Sequence, residues 1–173
     1  GLKPIVGGEF YLVKDRHKKS FSRAKGEEDN RCHQLLLAKN KQGYENLSKL
    51  CSLGFLDGLY GKYPRIDKEL LVQYHEGLIA SSCCIGAEIP QAILHGKLDE
   101  AESLLRWWID LMGEDFYIEI QRHRNMDNID GLGISQEDVN QHLLQLAAKY
   151  NVKVICTNDS HYLEEDDWRP HDV

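Results

Sequence analysis

Short, continuous apolar runs that alternate with stretches of helical periodicity predict an α/β fold, a parallel sheet covered by helices. Two further observations support this class. The apolar runs are four to ten residues long, as strands buried on both faces should be, and metal-competent side chains cluster where those runs end. Both an open doubly wound sheet and a closed (β/α) barrel satisfy the pattern, and periodicity does not choose between them.

The first strand is expected over Pro4–Val13, with Gly7-Gly8-Glu9 close to its end. Lys14 to Arg31 is almost wholly polar and charged, and reads as a mobile, solvated excursion of about residues 14–31. His33–Ala38 is a second apolar run. From Gly43, the apolar positions Tyr44, Leu47, Leu50, Cys51 and Phe55 recur every three or four residues, which is a helix. Leu59 to Arg65 carries two glycines and Pro64 and reads as a loop. Ile66–His75 reads as a short helix closed by Gly77.

Leu78–Ser82 is too apolar to be half exposed and predicts a third strand. Ile89–Leu94 predicts a short helix, and Leu98, Ala101, Leu105, Trp108, Ile109 and Met112 mark a longer one ended by Gly113. In Phe116–Ile120 the residues alternate, with Tyr117 and Glu119 on the face opposite Phe116, Ile118 and Ile120. A Gly/Asp/Asn-rich loop runs from Arg124 to Gly133. Ser135 and Asp138 form a capping-box pattern ahead of a helix with Val139, Leu143, Leu146, Ala147 and Tyr150 inward. Val152–Cys156 is the last strand.

Composition bounds the function. The 173 residues suit one domain, and 21 Lys+Arg against 28 Asp+Glu leave a formal charge of −7. That balance argues against a free-standing duplex-DNA binder, which needs clustered positive charge, but not against an acidic catalytic module within a larger nucleic-acid enzyme. No apolar run approaches the roughly 20 residues that cross a bilayer, so no membrane contact is expected. Five cysteines without a CxxC spacing argue against a disulfide framework or a four-cysteine zinc knuckle, and point to a reducing, cytoplasmic setting. Walker, GxGxxG and GxSxG patterns are absent. The chain opens on an apolar run without an initiating Met and closes on Trp-Arg-Pro-His-Asp-Val without a cap, so it reads as a piece of a longer protein.

Candidate chemistry lies at the strand ends. Glu9 follows the first run, Cys84 the third, Glu119 closes FYIEI, and Asp159 and His161 follow the last. In parallel α/β folds the carboxyl ends of the strands converge on one rim, which holds the active site. An Asp-x-His step returns both side chains to one face and suits Zn²⁺ or Mn²⁺; it is equally an Asx-type turn followed by a surface histidine. Glu9 reads either as a ligand or as a turn residue. His33 opens its strand instead of closing one, so local geometry makes it a structural histidine. Cys83 and Cys84 cannot both face one site if extended. Of the other histidines only His123 is placed to reach the rim, and Arg122 and Arg124 beside it suggest a solvated loop. Trp107-Trp108 reads as helix packing before base stacking.

At this point the blocks GLKPIVGGEFYLV, HQLLLAKNKQGYENLSKLCSLGFLDG, YPRIDKELL, EGLIASSCCIGAEIPQAILHG, FYIEIQRH and TNDSHYLEEDDWRPHDV resemble, in order, the PHP (polymerase and histidinol phosphatase) domain family. More narrowly they resemble that domain as it occurs in bacterial DNA polymerase III alpha subunits; GYENLSKL and PRIDKELL separate it from stand-alone PHP phosphatases. The resemblance implies an incomplete, distorted (β/α)7 barrel of the PHP type over residues 1–173, lacking its N-terminal strands. It implies up to three metals held by nine side chains at one rim, of which Glu9, His33, Cys84, Asp159 and His161 match positions here. Glu119 and His123 stand as a supporting layer behind them. The resemblance reassigns His33 as a ligand and selects Cys84 over Cys83, which replaces a residue that is usually glycine. The other four ligands would lie upstream of Gly1.

By the same resemblance the parent is a DNA-directed DNA polymerase active in replication, and the PHP site holds zinc or manganese for 3′→5′ exonuclease or phosphoesterase chemistry. Magnesium would serve a polymerase domain outside this sequence, and the isolated fragment is expected to be inactive. Expected partners are DNA, a sliding clamp and a proofreading exonuclease subunit. An alternative of another class is a structural and docking module that braces the polymerase and holds that exonuclease subunit.

Overall fold

The computed structural model describes residues 1–19, 31–123 and 126–171. The core of the expected excursion, residues 20–30, and Arg124 and Asn125 at the head of the expected Gly/Asp/Asn-rich loop lie outside the described residues.

Among the described residues six strands form one sheet: β1 (Gly7–Val13), β2 (Cys32–Ala38), β3 (Arg65–Asp67), β4 (Leu78–Ser81), β5 (Phe116–Gln121) and β6 (Lys153–Thr157). Their spatial order is β3-β1-β2-β4-β5-β6. Five helices of seven residues or more accompany them: α1 (Lys41–Leu56), α2 (Lys68–Tyr74), α3 (Glu88–Leu94), α4 (Leu98–Met112) and α5 (Gln136–Tyr150). A short α6 (Trp168–His171) follows β6.

The sheet is mixed, which corrects the expectation of a parallel one. β2 is antiparallel to both of its neighbours, β1 and β4, whereas β1–β3, β4–β5 and β5–β6 are parallel. An apolar run carries no information on chain direction, so HQLLLA could not disclose this. Among the described residues β3 and β6 stand at opposite ends of the sheet order, so the sheet is open.

Strand residues alternate between two faces. Leu12, Leu36, Leu78, Ala80, Phe116, Ile118 and Ile120 are buried in the core with Leu47 and Leu50 of α1, Ile93 of α3, Leu105 and Trp108 of α4, and Val139 and Leu143 of α5. Trp108 lies flat against Phe116, with ring centroids 5.5 Å apart and planes 16° apart, and donates its indole N–H to Glu88 at 2.7 Å. The Trp pair is thus a packing element, as expected. The opposite face carries Glu9, Tyr11, His33, Leu35, Ser81, Glu119 and Thr157, and it is on this face that the candidate site forms.

Several boundaries move. β1 begins at Gly7, not Pro4, so Glu9 lies inside the strand, opposite Leu35, and does not follow it. Gly7 must be glycine, since a Cβ there would come within 2.7 Å of the Leu36 carbonyl oxygen. The expected helix over 66–75 is a strand followed by a helix: Arg65–Asp67 pairs with β1, and Asp67 then caps α2 by accepting from the Leu70 N–H. Three residues are too few to show a period, and the pairing that makes them a strand is remote in sequence. Residues 14–19 are also not wholly solvated. Arg16 is buried, and its guanidinium and backbone N–H bind the Asp67 carboxylate at 2.9–3.1 Å. The capping box at Ser135 and Asp138 forms as expected.

Candidate metal centre

The first two groups come from the β1–β2 pair. Tyr11 lies opposite His33 and Glu9 opposite Leu35, so the period of two puts Glu9 and His33 on one face as diagonal neighbours. Their side chains meet: Nδ1 of His33 is 3.2 Å from Oε1 of Glu9. Tyr11 packs edge-on against the imidazole, with centroids 5.7 Å apart at 72°.

Strand direction explains why His33 reaches the site. Because β2 runs against β1 and β4, its opening end lies beside the exits of both. Local geometry read His33 as a structural histidine and the family resemblance read it as a ligand; the structure sets its ring beside Glu9 and Cys84.

The third group follows β4. The chain turns at Cys83, whose φ of +56° lies in the left-handed region that glycine adopts freely and other residues adopt at a cost of about 1–2 kcal/mol. This is the position where the resembled family usually has glycine. The turn is held by the Cys83 N–H donating to Ser81 Oγ at 3.0 Å and by Ala87 N–H donating to the Cys84 carbonyl at 3.0 Å. It aims Cys84 at the imidazole, with Sγ 3.4 Å from His33 Nδ1. Glu9, His33 and Cys84 offer donor atoms that all lie within 4.8 Å of one another.

That donor set fits a divalent cation. Two ligands at zinc–nitrogen, zinc–oxygen or zinc–sulfur distances and tetrahedral angles stand about 3.4–3.6 Å apart, close to the 3.2 and 3.4 Å that separate His33 Nδ1 from Glu9 and Cys84. The electrostatics agree. The Cys84 thiol is held down to about 6, chiefly by the hydrogen bond from the Cys83 thiol and further by the Gly86 N–H and His33, against the opposing effect of burial. Cys83 is pushed up, because its proton is engaged by Cys84 and its surroundings are apolar. A thiolate is the metal-binding form of cysteine.

Asp159 and His161 follow β6 and are exposed. Asp159 has a φ of +53°, and its carbonyl oxygen lies 2.7 Å from His161 Nδ1. His161 is raised above the ordinary imidazole value, first by that carbonyl and by the Asp159 carboxylate, and also by the charges of Glu9 and Cys84. Among the described residues the donor cluster holds Glu9, His33 and Cys84, and neither Asp159 nor His161 belongs to it.

Glu119 is 5 % exposed. Its carboxylate accepts from Ser81 Oγ and Thr157 Oγ1, both at 2.5 Å, and from Gln121 Nε2 at 3.3 Å. His123, half-buried, reaches Gln121 Oε1 at 3.3 Å. Sequence reasoning missed Gly86 altogether. Its carbonyl accepts from the His33 N–H at 3.0 Å, and its lack of a side chain leaves room for the imidazole. A glycine two residues beyond a candidate cysteine was the one available signal.

The PHP domain family matches residues 1–123. The chain is 44% identical over 173 residues to the DNA polymerase III subunit alpha of Thermus aquaticus, covering 100% of this chain and 13% of that protein. It is 39% identical to the corresponding subunit of Borreliella burgdorferi, over 100% of this chain and 14% of the relative. For Deinococcus radiodurans the identity is 37%, over 99% of this chain and 12% of the relative. The chain thus spans about an eighth of the length of the curated relatives it matches. With 71% of its length (123 of 173 residues) inside the family match and its donor groups gathered on one face, the chain belongs to the PHP domain family.

Proposed function

We propose that this chain is the PHP region of a replicative DNA polymerase alpha subunit and that its open sheet face carries metal-dependent hydrolysis of a phosphodiester at a DNA 3′ end. Glu9, His33 and Cys84 would hold a divalent cation, with Asp159 and His161 joining from the β6 exit. The thiolate of Cys84 and the imidazole of His33 favour zinc over magnesium. A cation bound there would neutralise phosphate oxygens and lower the pKa of a water.

The residues themselves supply position and charge. Glu9 offers a carboxylate from a rigid strand, and Cys84 a thiolate from a turn. His33, backed by Tyr11, keeps a fixed ring orientation. The observation that carries the reading is the convergence of Glu9, His33 and Cys84, which are up to 75 residues apart, to within 4.8 Å. DNA synthesis, the sliding clamp and a separate exonuclease subunit belong to the proposed parent and follow from what its relatives are named.

The test is degradation of a 3′-mismatched primer by the full-length protein in zinc or manganese, compared with an H33A/C84S variant. Loss of degradation in the variant supports the reading. Equal degradation by both would overturn it and leave the docking and bracing role.

A further inference from the structure

The turn that would deliver Cys84 and the segment that carries Asp159 and His161 leave the sheet on either side of β5, and both exits are bonded to one buried carboxylate. We infer that Glu119 is a positioning residue for the metal centre, tying the exit of β4 to the exit of β6. This inference rests on the metal reading above.

Three observations carry it. Glu119 sits in the middle strand of the β4-β5-β6 set, on the site-bearing face, and is almost wholly buried. Charged carboxylates are rarely buried unless their oxygens are satisfied, and here both are. Oε2 accepts from Ser81 Oγ on β4, and Oε1 accepts from Thr157 Oγ1 on β6, each at 2.5 Å. A residue needed only to fill the sheet interior would be apolar, as Ile118 and Ile120 are.

The connection continues to the ligands. Ser81 Oγ donates to Glu119 and also accepts the N–H of Cys83, the left-handed residue that turns Cys84 towards His33. The neighbouring Ser82 Oγ accepts the N–H of Glu119 at 2.8 Å and so clamps the same turn to β5. On the other side, Thr157 is the last residue of β6, two residues before Asp159. Glu119 therefore orders both arms without being a ligand. Hydrogen-bonded partners behind metal ligands characteristically change affinity by about 10- to 100-fold when removed.

Cobalt(II) binding to the full-length chain tests this, read by the thiolate-to-cobalt charge-transfer absorption that reports Cys84. The wild type should show the band, whereas Glu119→Gln, whose amide NH2 cannot accept from one of the two hydroxyls, should bind cobalt at least tenfold more weakly with a shifted or weakened band. Thr157→Val, a near-isosteric removal of the β6 tie alone, should lose affinity in the same direction with unchanged circular dichroism. A purely structural role would lower the melting temperature of these variants and leave affinity and band untouched; that result would overturn the assignment. Should Glu119→Gln not fold, Thr157→Val decides by itself. Absence of the thiolate band in the wild type would instead sink the metal reading, and this inference with it.

Discussion

The ring of His33 occupies the space that a side chain on Gly86 would need. A Cβ there would meet His33 Nδ1 at 3.3 Å and Cγ at 3.4 Å, while the His33 N–H donates to the Gly86 carbonyl at 3.0 Å. Gly86→Val should therefore push the imidazole off Glu9 and Cys84 and weaken zinc binding by about tenfold or more, the range seen when ligand orientation is lost. Calorimetric zinc titration of wild type and variant checks this. Unchanged affinity would mean that His33 does not need its present ring position.

A second contact concerns the fold. A Cβ on Gly43 would lie 1.8 Å from the Gly77 carbonyl oxygen, and Gly77 itself holds a φ of +74°. Alanine in a helix is normally better than glycine by about 1 kcal/mol. Here the obstacle is backbone, which cannot swing aside, so Gly43→Ala should destabilise by about 3 kcal/mol or more. Urea unfolding gives the sign directly, and a stabilised variant would contradict the close approach.

The α5 capping box makes stability depend on pH. Asp138 is held below the usual carboxylate range, first by the Ser135 backbone N–H and then by its hydroxyl. The folded state thus binds its proton less readily than the unfolded chain. The contribution is complete above the ordinary Asp value of about 3.9 and is lost as pH falls through the lower folded value. Asp138→Asn should flatten this part of the acid limb in melting curves taken from neutral pH downward. Ser135→Ala removes the cap itself and should cost about 1 kcal/mol at neutral pH.

The thiol pair is open to chemical measurement. Cys83→Gly removes the hydrogen bond that does most to hold Cys84 down to about 6, and it places at φ +56° the residue that adopts that angle freely. The midpoint of the alkylation rate of Cys84 against pH should move upward, and the rate at pH 7 should fall because less thiolate is present. Peptide-resolved mass spectrometry separates Cys84 from the exposed Cys51 and Cys156. An unmoved midpoint would assign the lowering to His33 and the Gly86 N–H instead.

Much of the secondary structure was legible because it is a local matter. The periodicity of α1, α4 and α5, the capping pattern at Ser135, and the apolar runs of β2, β4 and β5 all lie within about fifteen consecutive residues. β3 was not legible, since Arg65–Asp67 becomes a strand only through pairing with β1, about fifty residues earlier. Arg16 was hidden for a similar reason. Its partner Asp67 is 51 residues away, so a charged stretch that looked solvated contains a buried anchor.

The sequence by itself determined the residue types that can bind a cation, the strand ends near which most of them fall, and the family they resemble. Tertiary structure alone decided strand direction, and with it the position of His33: an antiparallel β2 brings its opening residue to the exits of β1 and β4. It also decided that Glu9 lies within a strand and that Cys83 takes the left-handed turn. The physical reason is that hydrophobic period and propensity act over a few residues, whereas register and direction come from hydrogen bonds between segments the chain must first bring together.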